Sequence, residues 1–321
     1  MMHDYKVELG FRIDTHRHLG GCIPPRWVWE QIKANNWTYM GRSLDEVTDS
    51  MTFTAEEEPD FQRFLSKFTI LDNIEWNADL IDSSIKAVCE DFEADQLDYV
   101  WLDFSINKYL SYLDWHKKDL VKFIYDSFQR YYPDKVGLIL SLKYESLKAS
   151  QCQYADLIED DDVADMLFGI DLVGDESFFD TKFYKPLLEP WRDRGKMVRA
   201  HVSESQPARN AFEAITQLPV TNIAHGIRLM DKQEYVDKVI DYDITYDLGL
   251  TSNYVAGVVS AYHPINKMVQ SGMKITLGTD DPVQCDTLLD KEFKLAYNLG
   301  INYGQLKRFS RQAFDNTVKF K

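Results

Sequence analysis

Cysteine is scarce in this chain. Cys22, Cys89, Cys152 and Cys285 are the only four in 321 residues, and no CxxC pair occurs. Neither a zinc ribbon nor a thioredoxin-type motif can be assembled from them, and their scatter suits ordinary thiols in a reducing compartment. Positive charge is also in short supply. Thirty-six Lys and Arg stand against 52 Asp and Glu, a formal charge of -16 at pH 7. Such a surface repels phosphate backbones and anionic membranes, so neither nucleic acid nor a membrane is expected as a partner. No apolar run approaches the ~20 residues that span a bilayer. The N-terminal "MMHDYKVELG" lacks the basic-then-apolar layout of a signal peptide, and the expected location is the cytoplasm. Repeats, low-complexity tracts and Gly/Ser/Pro linkers are missing too. The acidic patches "TAEEEPD" and "IEDDDVADM" read as solvated connections. With no boundary visible, residues 1–321 are expected to form a single domain.

What the chain does have is hydrophobic residues, 45% of the total, which suffices for a large core. They recur in short, nearly continuous runs with polar tips: "FRIDTHRH", "LDYVWLDFSI", "KVGLILSL", "MLFGIDLVG", "KMVRAHVSE", "VTNIAHG", "YDITYDLGLTSN" and "MKITLGTDD". Runs of this kind suit strands buried on both faces of a parallel sheet. Helical patterns such as "FQRFLSKFTILDNIEW", "LVKFIYDSFQRYY" and "DKQEYVDKVIDY" lie between them. Eight strands alternating with helices point to an α/β fold, a single (β/α)8 TIM-type barrel. A doubly wound open sheet is the competing topology, but no strand is followed by GxGxxG.

The polar tips carry the chemistry. In "RIDTHRHLGG", His16 and His18 share the parity of a strand and point to one side. His201 and Glu204 end the fifth run, His225 the sixth, and Asp280 and Asp281 the eighth. In a parallel barrel these ends meet at one mouth. Three imidazoles and a carboxylate, His16, His18, His201 and Asp280, suit one Zn2+ ion, and other first-row divalent ions share the same ligand preferences. Such an ion lowers the pKa of bound water to roughly 7. Glu204, three residues after His201, is placed to donate a proton to a ring nitrogen or leaving amine; it also fits a first-turn helix acid. His225 is a candidate to bond the water and Asp281 to orient it or take its proton. Alternatively, one is an ordinary barrel-mouth histidine and the other part of a "TDDP" helix start.

These motifs, in this order, resemble the adenosine/AMP deaminase family of the amidohydrolase superfamily from about residue 11 to 295. "THRHLGG" is similar to its HxH opening, "HVSE" to HxxE, "IAHG" to IGHG, "TSN" followed by "HP" to SN…HP, and "LGTDDP" to TDDP; "GIDLVGDE" matches at the fourth strand. The resemblance implies a (β/α)8 barrel with one zinc on His16, His18, His201 and Asp280. It makes Glu204 the acid that protonates the purine at N1, with His225 and Asp281 steering water to C6. It puts the backbone NH of Gly174 near another ring nitrogen, and a hydrophobic lid near 55–75 carried by Phe64, Leu65 and Phe68. The fourth strand lacks the lysine of two-metal relatives, and the chain lacks the Cys-rich signature of cytidine-type deaminases. Asp14 then reads as a supporting carboxylate, not a ligand.

Some positions depart from the family pattern. Gly20 stands where adenosine-specific members have an acid facing the ribose 5′-hydroxyl. Ser105 occupies the place of an Arg after the second strand. Asn222 and Ala224 replace the Arg and Gly of RIGHG, and Gly249-Leu250 replaces Cys-Pro before TSN. The implied activity is zinc-dependent deamination of a 6-aminopurine nucleoside or nucleotide, with the sugar-side pocket altered. Removal of another 6-substituent and a non-catalytic purine-binding or assembly role are the alternatives. The small-molecule purine is the expected partner, and the oligomeric state is left open.

Overall fold

All eight expected strands form: β1 (Ile13–His18), β2 (Tyr99–Phe104), β3 (Val136–Lys143), β4 (Leu167–Val173), β5 (Met197–Val202), β6 (Asn222–His225), β7 (Thr245–Leu248) and β8 (Lys274–Leu277). A computed structural model describes residues 10–37, 41, 43–145 and 154–321; Cys152 lies outside them. The strands pair in parallel in the order β1 to β8. Closure comes just beyond β8, where Asp280 donates its N–H to His16 O at 2.6 Å and accepts from His18 N at 3.0 Å. Gly278 makes this approach possible, because a Cβ there would lie 2.6 Å from the His16 nitrogen. Helices surround the sheet, giving the (β/α)8 barrel. Among the described residues no helix is long and apolar enough to cross a membrane.

Several elements are shorter than the hydrophobic pattern alone suggests. "YDITYDLGLTSN" becomes a four-residue strand followed by the helix Leu250–Val255. The pattern "FQRFLSKFTILDNIEW" yields two short helices, Phe61–Ser66 and Thr69–Asp72. "IEDDDVADM" is no solvated connection. Asp160 caps the helix Asp161–Met166 by accepting from Val163 N, Asp161 and Asp162 sit in its first turn, and Val163 and Ala164 are buried. The remaining described cysteines, Cys22, Cys89 and Cys285, are free and buried.

Inside the barrel the side chains form layers, and β5 shows them in one line. Met197, Arg199 and His201 alternate with outward residues and point inward at successive depths. At the bottom, Met197 joins Ile13, Trp101, Ile139 and Phe168 in an apolar cluster closed by Phe320 of the C-terminal helix Tyr303–Phe320. In the middle, fully buried Arg199 binds three carboxylates: Asp103, Asp171 at 2.5 Å and Asp247 at 3.3 Å. It also donates to Thr15 O at 2.7 Å. Burial pushes Asp103 up to about 7 and Asp247 up to about 6, against the pull of Arg199. At Asp171 burial loses to Arg199 and His201, which hold it well below the usual carboxylate range. Arg199→Met leaves three buried carboxylates without their cation. The expected loss of stability is roughly 3–5 kcal/mol, read from urea denaturation.

Candidate active site

The top layer is the mouth of the barrel. Asp14 is consumed in building it: its carboxylate accepts from Thr279 N at 3.1 Å, Thr279 Oγ1 at 2.8 Å and Arg17 Nε at 2.7 Å. It ties β1 to the turn after β8 and leaves the histidines above it to face the mouth.

His16 is fully buried, and its Nε2 lies 2.9 Å from His201 Nε2 and 3.4 Å from Asp280 Oδ1. His201 is oriented from below, since its Nδ1 meets Asp171 Oδ1 at 3.2 Å and its Nε2 is thereby aimed at the mouth. His18 Nε2 lies 3.1 Å from Asp280 Oδ1 and His225 Nε2 lies 3.7 Å from Asp280 Oδ2. Asp280 also accepts from Ser252 Oγ at 2.6 Å. The donor atoms of His16, His201, His225 and Asp280 all fall within 4.8 Å of one another. His18 stands at the rim of that group. Burial drives His16 well below the usual histidine value and also lowers His225. Despite its own burial, Asp280 is held ionised by His16 and His18. At His18 burial is outweighed by the hydrogen bond to Asp280 and by the charges of Asp281 and Asp103, which push it up to about 10. Imidazole nitrogens gathered around an ionised carboxylate form a nitrogen/oxygen set that fits a divalent first-row ion.

The proton positions around His225 can be deduced from a backbone group. The N–H of Ile265 donates to His263 Nδ1 at 3.1 Å, so neutral His263 carries its hydrogen on Nε2. Burial, reinforced by His225, keeps His263 neutral by pushing it down to about 3. Its Nε2–H therefore donates to Asn253 Oδ1 at 3.0 Å, which turns the Asn253 amide nitrogen the other way. That nitrogen donates to Glu204 Oε1 at 2.9 Å and to His225 Nδ1 at 3.0 Å. His225 thus keeps its own hydrogen on Nε2, the atom facing the mouth. An N–H there is a hydrogen-bond donor, not a lone pair for a metal.

Glu204 is set by its own cradle. Glu176 accepts from the backbone N–H groups of Ser203, Glu204 (3.1 Å) and Ser205 (2.9 Å), which fixes the turn after β5. Burial and the charges of Asp280 and Glu176 push the Glu204 carboxyl up to about 8. Burial and Asp280 also drive Asp281 well upward, and its Oδ1 has no partner. Ser203, His225 and Asp280 all have φ between 54° and 61°. Left-handed backbone is uncommon outside glycine, and its concentration at the ends of β5, β6 and β8 marks a strained site.

These groups share one cleft of about 900 Å3. Gly174 lines it at the end of β4 with φ +93°, and a Cβ there would lie 2.2 Å from Glu145 Oε2. Gly20, Phe64, Leu65 and Phe68 line it too. Phe64 and Phe68 meet edge to face at 5.7 Å, with Phe64 buried and Leu65 exposed. His18, His201, Glu204, His225, Asp280 and Asp281 line this cleft with Gly20 and Gly174, while His16 is fully buried and meets the group only through its Nε2 contacts with His201 and Asp280. Glu176 lines the cleft as well, and Asn253, His263 and Asp171 act through their contacts with Glu204, His225 and His201. Asp171 and Glu176 lie inside the quoted segment "GIDLVGDE", Asn253 inside "TSN" and His263 inside "HP", segments that flag a neighbourhood without assigning the residues a task.

A family model described as "Adenosine deaminase" matches residues 12–318. The adenosine deaminase of Shewanella denitrificans is 24% identical over 318 residues, covering 94% of this chain and 92% of its own. Among solved structures, an amidohydrolase from Burkholderia ambifaria with bound Zn superposes with a TM-score of 0.82 at 18% identity, over 96% of this chain and 87% of that one. The N6-methyl-AMP deaminase from Arabidopsis thaliana gives 0.80 at 19%, over 96% and 94%. At these identities the two structures show the shared barrel fold.

Proposed function

The chain belongs to the adenosine deaminase family, and on that premise we propose that it is a zinc-dependent hydrolase acting on a 6-aminopurine nucleoside or nucleotide. Water replaces the exocyclic amine at C6, giving the 6-oxopurine and ammonia. The observation that carries the reading is a metal-type cluster with a buried, proton-holding carboxyl, Glu204, in the same cleft.

His16, His18, His201 and Asp280 would hold the ion, and the Nε2–H deduced for His225 favours His18 as the third imidazole ligand. A divalent ion bound there supplies Lewis-acid polarisation and lowers the pKa of water to roughly 7. Zinc is the choice of ion on the donor set, supported by the Zn of the Burkholderia amidohydrolase. Glu204 accepts from Asn253 through Oε1 and holds its proton on the other oxygen, ready for a purine ring nitrogen. His225 donates from Nε2 to the attacking water and Asp281 accepts from it, so the water is aimed at C6. Gly174 keeps the β4 wall thin enough for the base to lie against backbone. Phe64, Leu65 and Phe68 form a lid, within 55–75, that shields the base from solvent.

The test is metal analysis of the purified protein combined with an ammonia-release panel. It covers adenine, adenosine, deoxyadenosine, AMP, 5′-thio derivatives and N6-methylated forms, the last because the Arabidopsis neighbour acts on such a purine by its name. About one divalent ion per chain and ammonia from at least one 6-aminopurine are expected. Protein that binds no divalent metal, or that releases no ammonia when loaded, overturns the proposal.

A further inference from the structure

The helix Leu250–Val255 carries two side chains on which the site depends. Ser252 Oγ donates to Asp280 at 2.6 Å, and the Asn253 amide holds Glu204 and His225 at 2.9 and 3.0 Å. A helix of six residues has little stability of its own, and its first backbone N–H groups need acceptors from outside. The common solution is an Asp, Asn, Ser or Thr at the N-cap. Here the N-cap is Gly249, which has no side chain to offer. Space explains the glycine. A Cβ built on it would come within 3.0 Å of Asp280 Cβ and 3.3 Å of Ser252 Oγ. The crowding that brings Ser252 against Asp280 thus removes the local cap.

The acceptor arrives from another part of the chain. Glu292, in the helix Leu289–Asn298, is fully buried, and its Oε2 accepts from Leu250 N at 2.8 Å and from Thr251 N at 3.2 Å. Its Oε1 accepts from Thr287 Oγ1 at 2.7 Å, which fixes the direction of the carboxyl. These partners are all neutral groups, and burial pushes the carboxyl up to about 7. Burying an acid among neutral partners is costly. What it gains here is a fixed start for the helix, in the two residues directly before Ser252 and Asn253. Glu292 does not itself line the cleft. We infer that Glu292 is a positioning residue for the reaction: by accepting from Leu250 N and Thr251 N, it holds the Asn253 amide against Glu204 and His225. Its kinetic consequences rest on the deaminase reading above; its geometry does not.

The experiment combines kcat and KM of the metal-loaded protein, on adenosine and on AMP, with a crystal structure of one variant. Glu292→Met keeps the bulk and removes both acceptor oxygens; kcat falls by roughly 10–100-fold while KM stays within about 3-fold. Glu292→Gln keeps an oxygen for the two N–H groups and offers an amide N–H to Thr287, whose hydroxyl accepts as well as it donates. That variant restores kcat to within about 3-fold of wild type. In Asn253→Ala, which already lacks the amide, adding Glu292→Met lowers kcat by no more than a further ~3-fold, because both changes act through one group. If Glu292→Met does not fold, Glu292→Asp, whose carboxyl is too short to reach both N–H groups, takes its place in every comparison. Losses that multiply in the double variant, a Gln variant as slow as the Met one, or wild-type kcat in Glu292→Met overturn the inference and leave the deaminase reading standing. No ammonia from wild type overturns that reading instead. The crystal structure of Glu292→Met then decides: Asn253 moves away from Glu204 and His225 if the inference holds, and stays within hydrogen-bond distance of both if it fails.

Discussion

Glu204→Gln lowers the rate of ammonia release by roughly 10²–10⁴-fold while leaving bound metal unchanged. Glutamine keeps the shape of the side chain and an oxygen for the Asn253 amide, 2.9 Å away in the wild type. It loses only the transferable proton. That proton is present because burial, Asp280 and Glu176 push the carboxyl up to about 8, against the weaker pull of His201 and Asn253. The sign of the pH dependence follows. A general acid works in its protonated form, so kcat/KM falls as pH rises through the Glu204 pKa. A cation in the adjoining cluster favours the carboxylate and pulls this alkaline limb to about pH 8 or below. In the Gln variant the limb attributable to Glu204 disappears and the residual activity is flat there. Metal content by elemental analysis, with the pH profile of both proteins, checks this. Loss of metal with the activity, or a fall of less than about 10-fold, removes Glu204 from the acid role.

The parts of this molecule that are legible in the sequence share one physical cause. A strand buried on both faces must be apolar nearly throughout, so β3 as "VGLILSLK" or β4 as "LFGIDLV" stands out without any partner being known. Polar residues that survive at the ends of such strands must face the barrel mouth, and so His16, His18, His201, His225 and Asp280 are found by position alone. The middle of the barrel is different. Arg199 and Asp103 are 96 residues apart and meet only once the sheet has closed. From the sequence each is merely a charge interrupting an apolar run. The Asn253–His263 pair spans only ten residues, yet it depends on a loop path that no periodicity encodes. Helix ends are obscured for another reason. "IEDDDVADM" has the acids of a solvated loop, but the same acids are favourable at a helix N-terminus, and only the burial of Val163 and Ala164 decides between them. Gly20 is a third case. Its missing side chain is evident, but that a Cβ there would meet nothing within 4 Å depends on three-dimensional neighbours.

Removing ligands one at a time separates the two histidines that compete for the third nitrogen position. His16→Ala takes away a fully buried imidazole whose Nε2 lies 2.9 Å from His201 Nε2 and 3.4 Å from Asp280 Oδ1. Metal content is expected to fall to background and ammonia release with it. Asp171→Asn, which loosens the orientation of His201 through its 3.2 Å contact and also takes a carboxylate from buried Arg199, is expected to weaken metal binding by the ~10–100-fold typical of such supporting partners. The decisive pair is His18→Ala and His225→Ala. His225 receives the Asn253 N–H on Nδ1 and so presents Nε2–H to the mouth, which on the proposed reading would serve the water and not the ion. Its removal leaves metal bound and abolishes turnover. His18, held protonated by Asp280 in the metal-free protein, gives up that proton when an ion binds. Its loss therefore lowers metal affinity, and wild-type metal binding weakens as pH falls while the His18→Ala protein shows a shallower dependence. Retained metal in His18→Ala together with lost metal in His225→Ala would reverse the two roles and make His16, His201, His225 and Asp280, already within 4.8 Å of one another, the ligand set.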